Sequence, residues 1–232
     1  MAASYGDLFV AVERWRHRIA LVLALGLMAA LLPGQDAQAQ ATTKPLKVVV
    51  LGDSLTAGYG LPAGDAFPTK LQKALKDRGI DTEMVNAGVS GDTASGGLER
   101  LDWSVPPDAD AVIVELGAND ALRGTDPKVP RKALDEILKR LKQRNIPVLL
   151  AGMLAPPNYG KDYAAQFNAI YPDLAKQYDV PLYPFFLDGV AAVANLNQPD
   201  GIHPTAAGVD VIVARILPAV EALLRPLLGQ AR

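Results

Sequence analysis

Residues 46–55 read Leu-Lys-Val-Val-Val-Leu-Gly-Asp-Ser-Leu. A short run of branched apolar residues that stops at a glycine is the pattern of a strand buried on both faces, as in a parallel sheet. The residues that follow agree with this. Helical spacing sets Leu71, Ala74 and Leu75 on one face between Phe67 and Arg78. Further strands are predicted at 83–86, 111–116, 148–151 and 180–183. A helix opens at Pro127 or Pro130 with Leu134, Ile137, Leu138 and Leu141 at i, i+3, i+4 and i+7, another covers 162–178 despite Pro172, and a last one covers 205–224 with Pro218 inside it. Strands alternating with helices give one α/β domain with a mostly parallel sheet, and such sheets hold ligands beyond the carboxyl ends of their strands.

The 232 residues carry 23 Lys and Arg against 25 Asp and Glu, and half of them are apolar. That balance excludes a disordered chain and a basic nucleic-acid-binding surface. With no cysteine, disulfides, thiolate metal sites, a cysteine nucleophile and lipid anchoring through a cysteine are all excluded. Ile19–Leu32 is apolar or glycine throughout, follows Arg14, Arg16 and Arg18, and precedes an alanine-rich stretch ending at Ala41. The run is too short to span a bilayer and reads as a secretory signal over residues 1–39, cut after Ala39 or Ala41, with an uncleaved anchor as the other reading. The expectation is a periplasmic or secreted single domain over 40–232, not stably inserted in a membrane after the cut. That domain retains one histidine, His203, and four serines, at 54, 90, 95 and 104.

Few side chains are therefore available for acid-base or nucleophilic work, and they cluster after predicted strands. Ser54 follows the first strand and falls near a helix N-terminus, either as a nucleophile in a positive field or as a plain N-cap. A glycine-rich turn at 88–97 offers backbone N–H groups to a developing oxyanion or is a tight turn alone. Asn119 supplies a neutral amide donor or belongs to a turn-forming Asn-Asp pair. Asp200 stands three residues before His203, close enough to hold one ring nitrogen and leave the other free as a base, and Pro204 restrains the His203 backbone. Four clusters with four complementary roles point to nucleophilic acyl transfer. The Gly-x-Ser-x-Gly elbow of α/β-hydrolases is absent from the sequence.

Gly52-Asp53-Ser54-Leu55, Ser90-Gly91-Asp92-Thr93, Gly117-Ala118-Asn119-Asp120 and Asp200-Gly201-Ile202-His203, in that order, resemble the four sequence blocks of the GDSL family in its SGNH-hydrolase form. The resemblance implies a flavodoxin-like three-layer α/β/α sandwich with five parallel strands. It implies Ser54 as nucleophile, His203 as general base and then acid, and Asp200 as the group that orients His203. It also implies an oxyanion hole from the N–H of Ser54, the N–H of Gly91 and the Asn119 amide. Wider stretches (Leu51–Tyr59, Val114–Gly124, Pro157–Gly160 and 183–186) are similar to periplasmic members described as thioesterase, arylesterase and lysophospholipase, enzymes of lipid metabolism. The segments 60–67 and 152–155 depart from them, so acyl chain length does not carry over.

The expected activity is that of an exported serine esterase acting on small-molecule esters or thioesters, with no cofactor, no metal and no nucleic-acid partner, as a monomer or weak dimer. Leu61, Phe67, Met153, Leu154 and Tyr159 are candidates for an apolar acyl pocket. Asp53 and Asp92 are candidates for supporting hydrogen bonds, Glu115 needs a partner, and 122–126 reads as a mobile loop. Two other readings stand beside this one: a carbohydrate O-acetylesterase using the same residues, and a non-catalytic periplasmic binding module.

Overall fold

The structure, a computed structural model, describes residues 44–229. The expected signal segment 1–39 and its cleavage site lie outside the described residues. In chain order the elements are β1 (Leu46–Gly52), α1 (Ser54–Ala57), α2 (Phe67–Asp77), β2 (Thr82–Gly88), α3 (Ala94–Glu99), α4 (Leu101–Ser104), β3 (Ala111–Glu115), α5 (Ala118–Leu122), α6 (Lys128–Gln143), β4 (Val148–Ala151), α7 (Lys161–Asn168), α8 (Ile170–Tyr178), β5 (Leu182–Tyr183) and α9 (Ala206–Leu224). The strands form one parallel sheet in the order β2-β1-β3-β4-β5. Val48–Leu51 and Ala111–Val114 are fully buried, because helices cover both faces of the sheet. Helix α2 packs with α9, while α6 packs with α3 and α8. Leu134, Ile137, Leu138 and Leu141 of α6 all enter the core, each worth about 2 kcal/mol of burial.

Strand β1 lies between β2 and β3, so the winding reverses there and a crevice opens beyond the strands' carboxyl ends. The segments following β1, β2 and β3 carry Ser54, Gly91 and Asn119 to that crevice.

Two local expectations change. The single helix expected at 162–178 is two helices meeting at Ala169, because Pro172 has no N–H to donate to Asn168 and fits only the first turn of a new helix. Strand β5 shrinks to two residues, since Val180 N–H still bonds back to Ala175 and Pro181 contributes only its carbonyl, accepting from Leu150 N–H at 3.0 Å. The glycine that ends β1 is not needed for a positive φ. It is needed for close approach, because a Cβ on Gly52 would collide with Thr56 Oγ1 and come within 2.6 Å of Glu115 Oε2.

Sequence reading did not single out Arg100, which is buried at the end of α3 and joins three segments. Its Nε donates to Asp92 Oδ2 at 2.6 Å, Nη1 to the Ala87 carbonyl at 2.8 Å and Ser104 Oγ at 3.1 Å, and Nη2 to the Gly52 carbonyl at 2.7 Å. A planar fork of five donors is the side chain that can serve all of these acceptors at once. Arg100→Met leaves Asp92 without its buried cation and takes one donor from each of the Ala87 and Gly52 carbonyls, the latter keeping Val89 N–H at 3.1 Å, and an expected loss of about 3 kcal/mol follows. Urea denaturation should show a lower midpoint in Arg100→Met and, because one ammonium cannot span the same acceptors, in Arg100→Lys. A midpoint unchanged in both would remove Arg100 from this role.

Candidate active site

Helix α1 starts directly after β1, and the residue that caps it is Asp53. Asp53 Oδ1 accepts from Leu55 N–H at 3.0 Å, and no cap bond is made by Ser54. The Ser54 hydroxyl is thereby released from the backbone and lies 2.9 Å from His203 Nε2. His203 Nδ1 lies 2.7 Å from Asp200 Oδ2. Asp200 Oδ1 accepts from the N–H groups of both Ile202 and His203 at 3.0 Å, so one carboxylate fixes the turn and the ring together. With Nδ1–H donating to Asp200, Nε2 is left to accept the Ser54 hydroxyl proton. The His203 ring hydrogen bond, followed by the two backbone N–H groups, holds the Asp200 carboxyl down at about 2.

Ser54, Gly91 and Asn119 line one cavity of about 600 Å³, together with His203. Among the described residues, neither Ser54 N–H nor Gly91 N–H is engaged by a backbone acceptor. Gly91 sits at φ 86, where a side chain would be strained, and Arg123 Nη2 steadies its carbonyl at 2.9 Å. The Asn119 amide is more committed than the sequence implied. Its Nδ2 donates to Asp53 Oδ2 at 3.1 Å and to the Asp92 carbonyl at 2.9 Å. Both neighbours are acceptors, which fixes the nitrogen's side of the amide. A bound oxygen would share a donor already in use.

Beneath this layer two carboxyl groups meet. Glu115, whose partner the sequence left open, is fully buried on β3. Its Oε2 accepts from Thr56 Oγ1 at 2.8 Å and from Asp53 N–H at 3.4 Å, while Oε1 is buried without a partner. Burial first, then the nearby Asp53 carboxylate, push Glu115 well above the usual carboxylate range. Burial also raises Asp53 to about 6, against the hydrogen bonds from Leu55 N–H and Asn119 that pull it down.

The five candidate pocket residues separate. Met153 and Leu154 line the cavity, as do Phe185, Leu187 and Ile202, which sequence reading missed. The signal for Phe185 and Leu187 was their place just beyond β5. Phe67 is instead fully buried and packs edge-on against Phe186, with ring centroids 4.9 Å apart. Leu61 packs against the core. Tyr159 is not among the lining residues, and its hydroxyl donates to the Leu122 carbonyl at 2.7 Å. That bond, with Tyr163 Oη donating to the Thr125 carbonyl at 3.0 Å and Thr125 N–H to the Asp120 carbonyl at 3.0 Å, ties down the 122–126 segment expected to be mobile.

The sequence profile of the GDSL-like lipase/acylhydrolase family matches residues 50–211. Esterase TesA of Pseudomonas aeruginosa is 39% identical over 204 residues, covering 88% of this chain and 98% of its own. Thioesterase 1/protease 1/lysophospholipase L1 of Escherichia coli K12 is 44% identical over 158 residues, 68% of this chain and 74% of that protein. Among solved structures, that of AlinE4, an SGNH-hydrolase family esterase, superimposes with a TM-score of 0.67 at 46% identity, covering 79% of this chain and 99% of AlinE4.

The buried carboxyl pair makes stability depend on pH. In the folded chain Asp53 and Glu115 keep protons that the unfolded chain has released, so unfolding free energy falls as pH rises from about 4 through 6. For Asp53, the displacement from 3.8 to about 6 is worth about 3 kcal/mol at most. Asp200 acts oppositely, but its contribution is complete above pH 4 and declines only toward pH 2, outside this window. Urea denaturation from pH 4.5 to 8 should show declining stability, and Glu115→Gln should flatten the decline. An identical slope in the variant would contradict the assignment.

Proposed function

This chain belongs to the GDSL-like lipase/acylhydrolase family and is an enzyme of the esterase and thioesterase class, and from that premise we propose that it cleaves carboxylic esters and thioesters through an acyl group carried on Ser54. The observation that carries the reading is the chain Ser54 Oγ, His203 Nε2, His203 Nδ1, Asp200 Oδ2, with links of 2.9 and 2.7 Å. Asp53 has taken over the capping role that would otherwise occupy the Ser54 hydroxyl.

In the first step His203 Nε2 takes the Ser54 hydroxyl proton as Oγ attacks the substrate carbonyl. The oxygen that becomes negative is received by the N–H groups of Ser54 and Gly91 and by the Asn119 amide. Collapse of the tetrahedral intermediate breaks the bond to the alcohol, phenol or thiol, which takes the proton back from His203. Water then repeats the sequence: His203 removes its proton, the hydroxide adds to the acyl carbonyl, and Ser54 leaves with the proton as the acid is freed. Asp200 keeps the ring in the correct tautomer and offsets the charge of the imidazolium.

An apolar cavity wall built from Met153, Leu154, Phe185, Leu187 and Ile202 supports an acyl chain longer than acetyl. That favours lipid-like esters, acyl thioesters and aryl esters over O-acetylated carbohydrate. We place the mature single domain at 40–232 and propose export by the segment before it. Among the described residues no helix is long and apolar enough to cross a membrane.

The test is hydrolysis of p-nitrophenyl esters from acetate to dodecanoate. Activity peaking at medium chains and lost in Ser54→Ala is the expected result. An acetate-only profile would favour the carbohydrate deacetylase, and absence of turnover would favour a binding module. Asn119→Ala should lower kcat about 10²- to 10³-fold, the usual cost of one oxyanion donor. A folded Asn119→Ala protein with near-full kcat would take Asn119 out of the site.

A further inference from the structure

Asp200 and Ser54 hold the His203 imidazole by its edge, and one further group lies against its face. The centroid of the Tyr59 ring is 4.5 Å from that of the imidazole, with an interplanar angle of 34°. This is the spacing of an offset aromatic pair. Core packing does not account for it, because Tyr59 is 52% exposed, whereas the His203 side chain is only 15% exposed.

The backbone around Tyr59 is tied to both partners of the proton transfer. The N–H groups of Gly58 and Tyr59 both donate to the Ser54 carbonyl at 3.1 Å. The Tyr59 carbonyl accepts from Gln198 Nε2 at 2.7 Å, and the same nitrogen donates to the Pro204 carbonyl at 2.9 Å. Gln198 N–H donates to the His203 carbonyl at 2.7 Å. One side-chain amide therefore joins the loop that carries Tyr59 to the loop that carries His203. Gly60 has no room for a Cβ, which would collide with Gln198 Oε1.

We propose that Tyr59 is a positioning residue for the hydrolytic reaction, its ring fixing the plane of His203 and its π face steadying the positive charge the imidazole acquires on taking the Ser54 proton. The inference rests on the serine-hydrolase reading given above. The face of an aromatic ring attracts a cation centred within about 6 Å. That cation exists only once the proton has moved, so the interaction is stronger in the transition state than with bound substrate and acts on kcat rather than KM. The phenol hydroxyl has no part in it, so phenylalanine suffices.

The experiment compares Tyr59→Phe, Tyr59→Leu and Tyr59→Met in the whole chain, reading kcat and KM on one p-nitrophenyl ester and the rate at which a small alkyl phosphonate ester labels Ser54. Leucine and methionine keep an apolar cover and remove the π face. Both are expected to lose two- to fivefold in kcat and in labelling rate with KM unchanged, while phenylalanine stays at the wild-type level. Wild-type kcat in the leucine and methionine variants overturns the proposal. So does a phenylalanine variant as slow as leucine, or a change confined to KM, which would leave Tyr59 with no role beyond its place in the wall of the cavity. A wild-type protein that neither turns over ester nor labels at Ser54 overturns the serine-hydrolase reading and this inference with it, a result distinct from an active wild type with indifferent variants.

Discussion

The hydrogen bond from Leu55 N–H to Asp53 Oδ1 is the small interaction on which the site depends. A helix that begins directly after a strand needs a side chain for its first free N–H groups, and aspartate at the cap supplies it. Were Ser54 the cap, its hydroxyl would be turned into the backbone. With Asp53 in that place, Ser54 is the first helical residue and its hydroxyl reaches His203 across 149 positions of sequence. The same carboxylate accepts the Asn119 amide through its other oxygen, so one buried group sets both the serine's freedom and the amide's direction.

That arrangement carries an electrostatic cost. Asp53 and Glu115 lie close together away from water, and burial raises both. Glu115 is tolerated because Gly52 leaves room for it and Thr56 gives it a hydrogen bond. Such a pair lowers stability at neutral pH while keeping donors and acceptors around the serine in fixed places, as expected where a site is held by its surroundings. Arg100 provides the counterweight on the other side, joining the ends of β1 and β2 to Asp92 with a single buried guanidinium.

Much of this was legible in the sequence. The valine run at 48–50 announced a buried parallel strand, and alternation of strands with helices fixed the class. The four motifs were recognisable because each follows a strand end or lies in a loop, where sheets of this kind place their chemistry. The pairing of Ser54 with His203 depended on the reversal of winding at β1, which no local pattern encodes. Phe67 was misjudged because an aromatic residue beside a functional loop looks the same in sequence whether it faces a cavity or the core. Arg100 and Tyr59 gave no signal, since a buried guanidinium and a ring stacked on an imidazole are defined by partners distant in sequence. The split at Ala169, by contrast, was foreshadowed by Pro172.

The central claim is that Ser54 is the activated hydroxyl, and Ser90 lines the same cavity as its natural rival. Peptide mapping of the protein after reaction with an alkyl phosphonate ester measures this directly. The account predicts one adduct, on the peptide containing Ser54, formed far more slowly when His203 is replaced by alanine. An adduct on Ser90, or labelling of Ser54 at the same rate without His203, would contradict it.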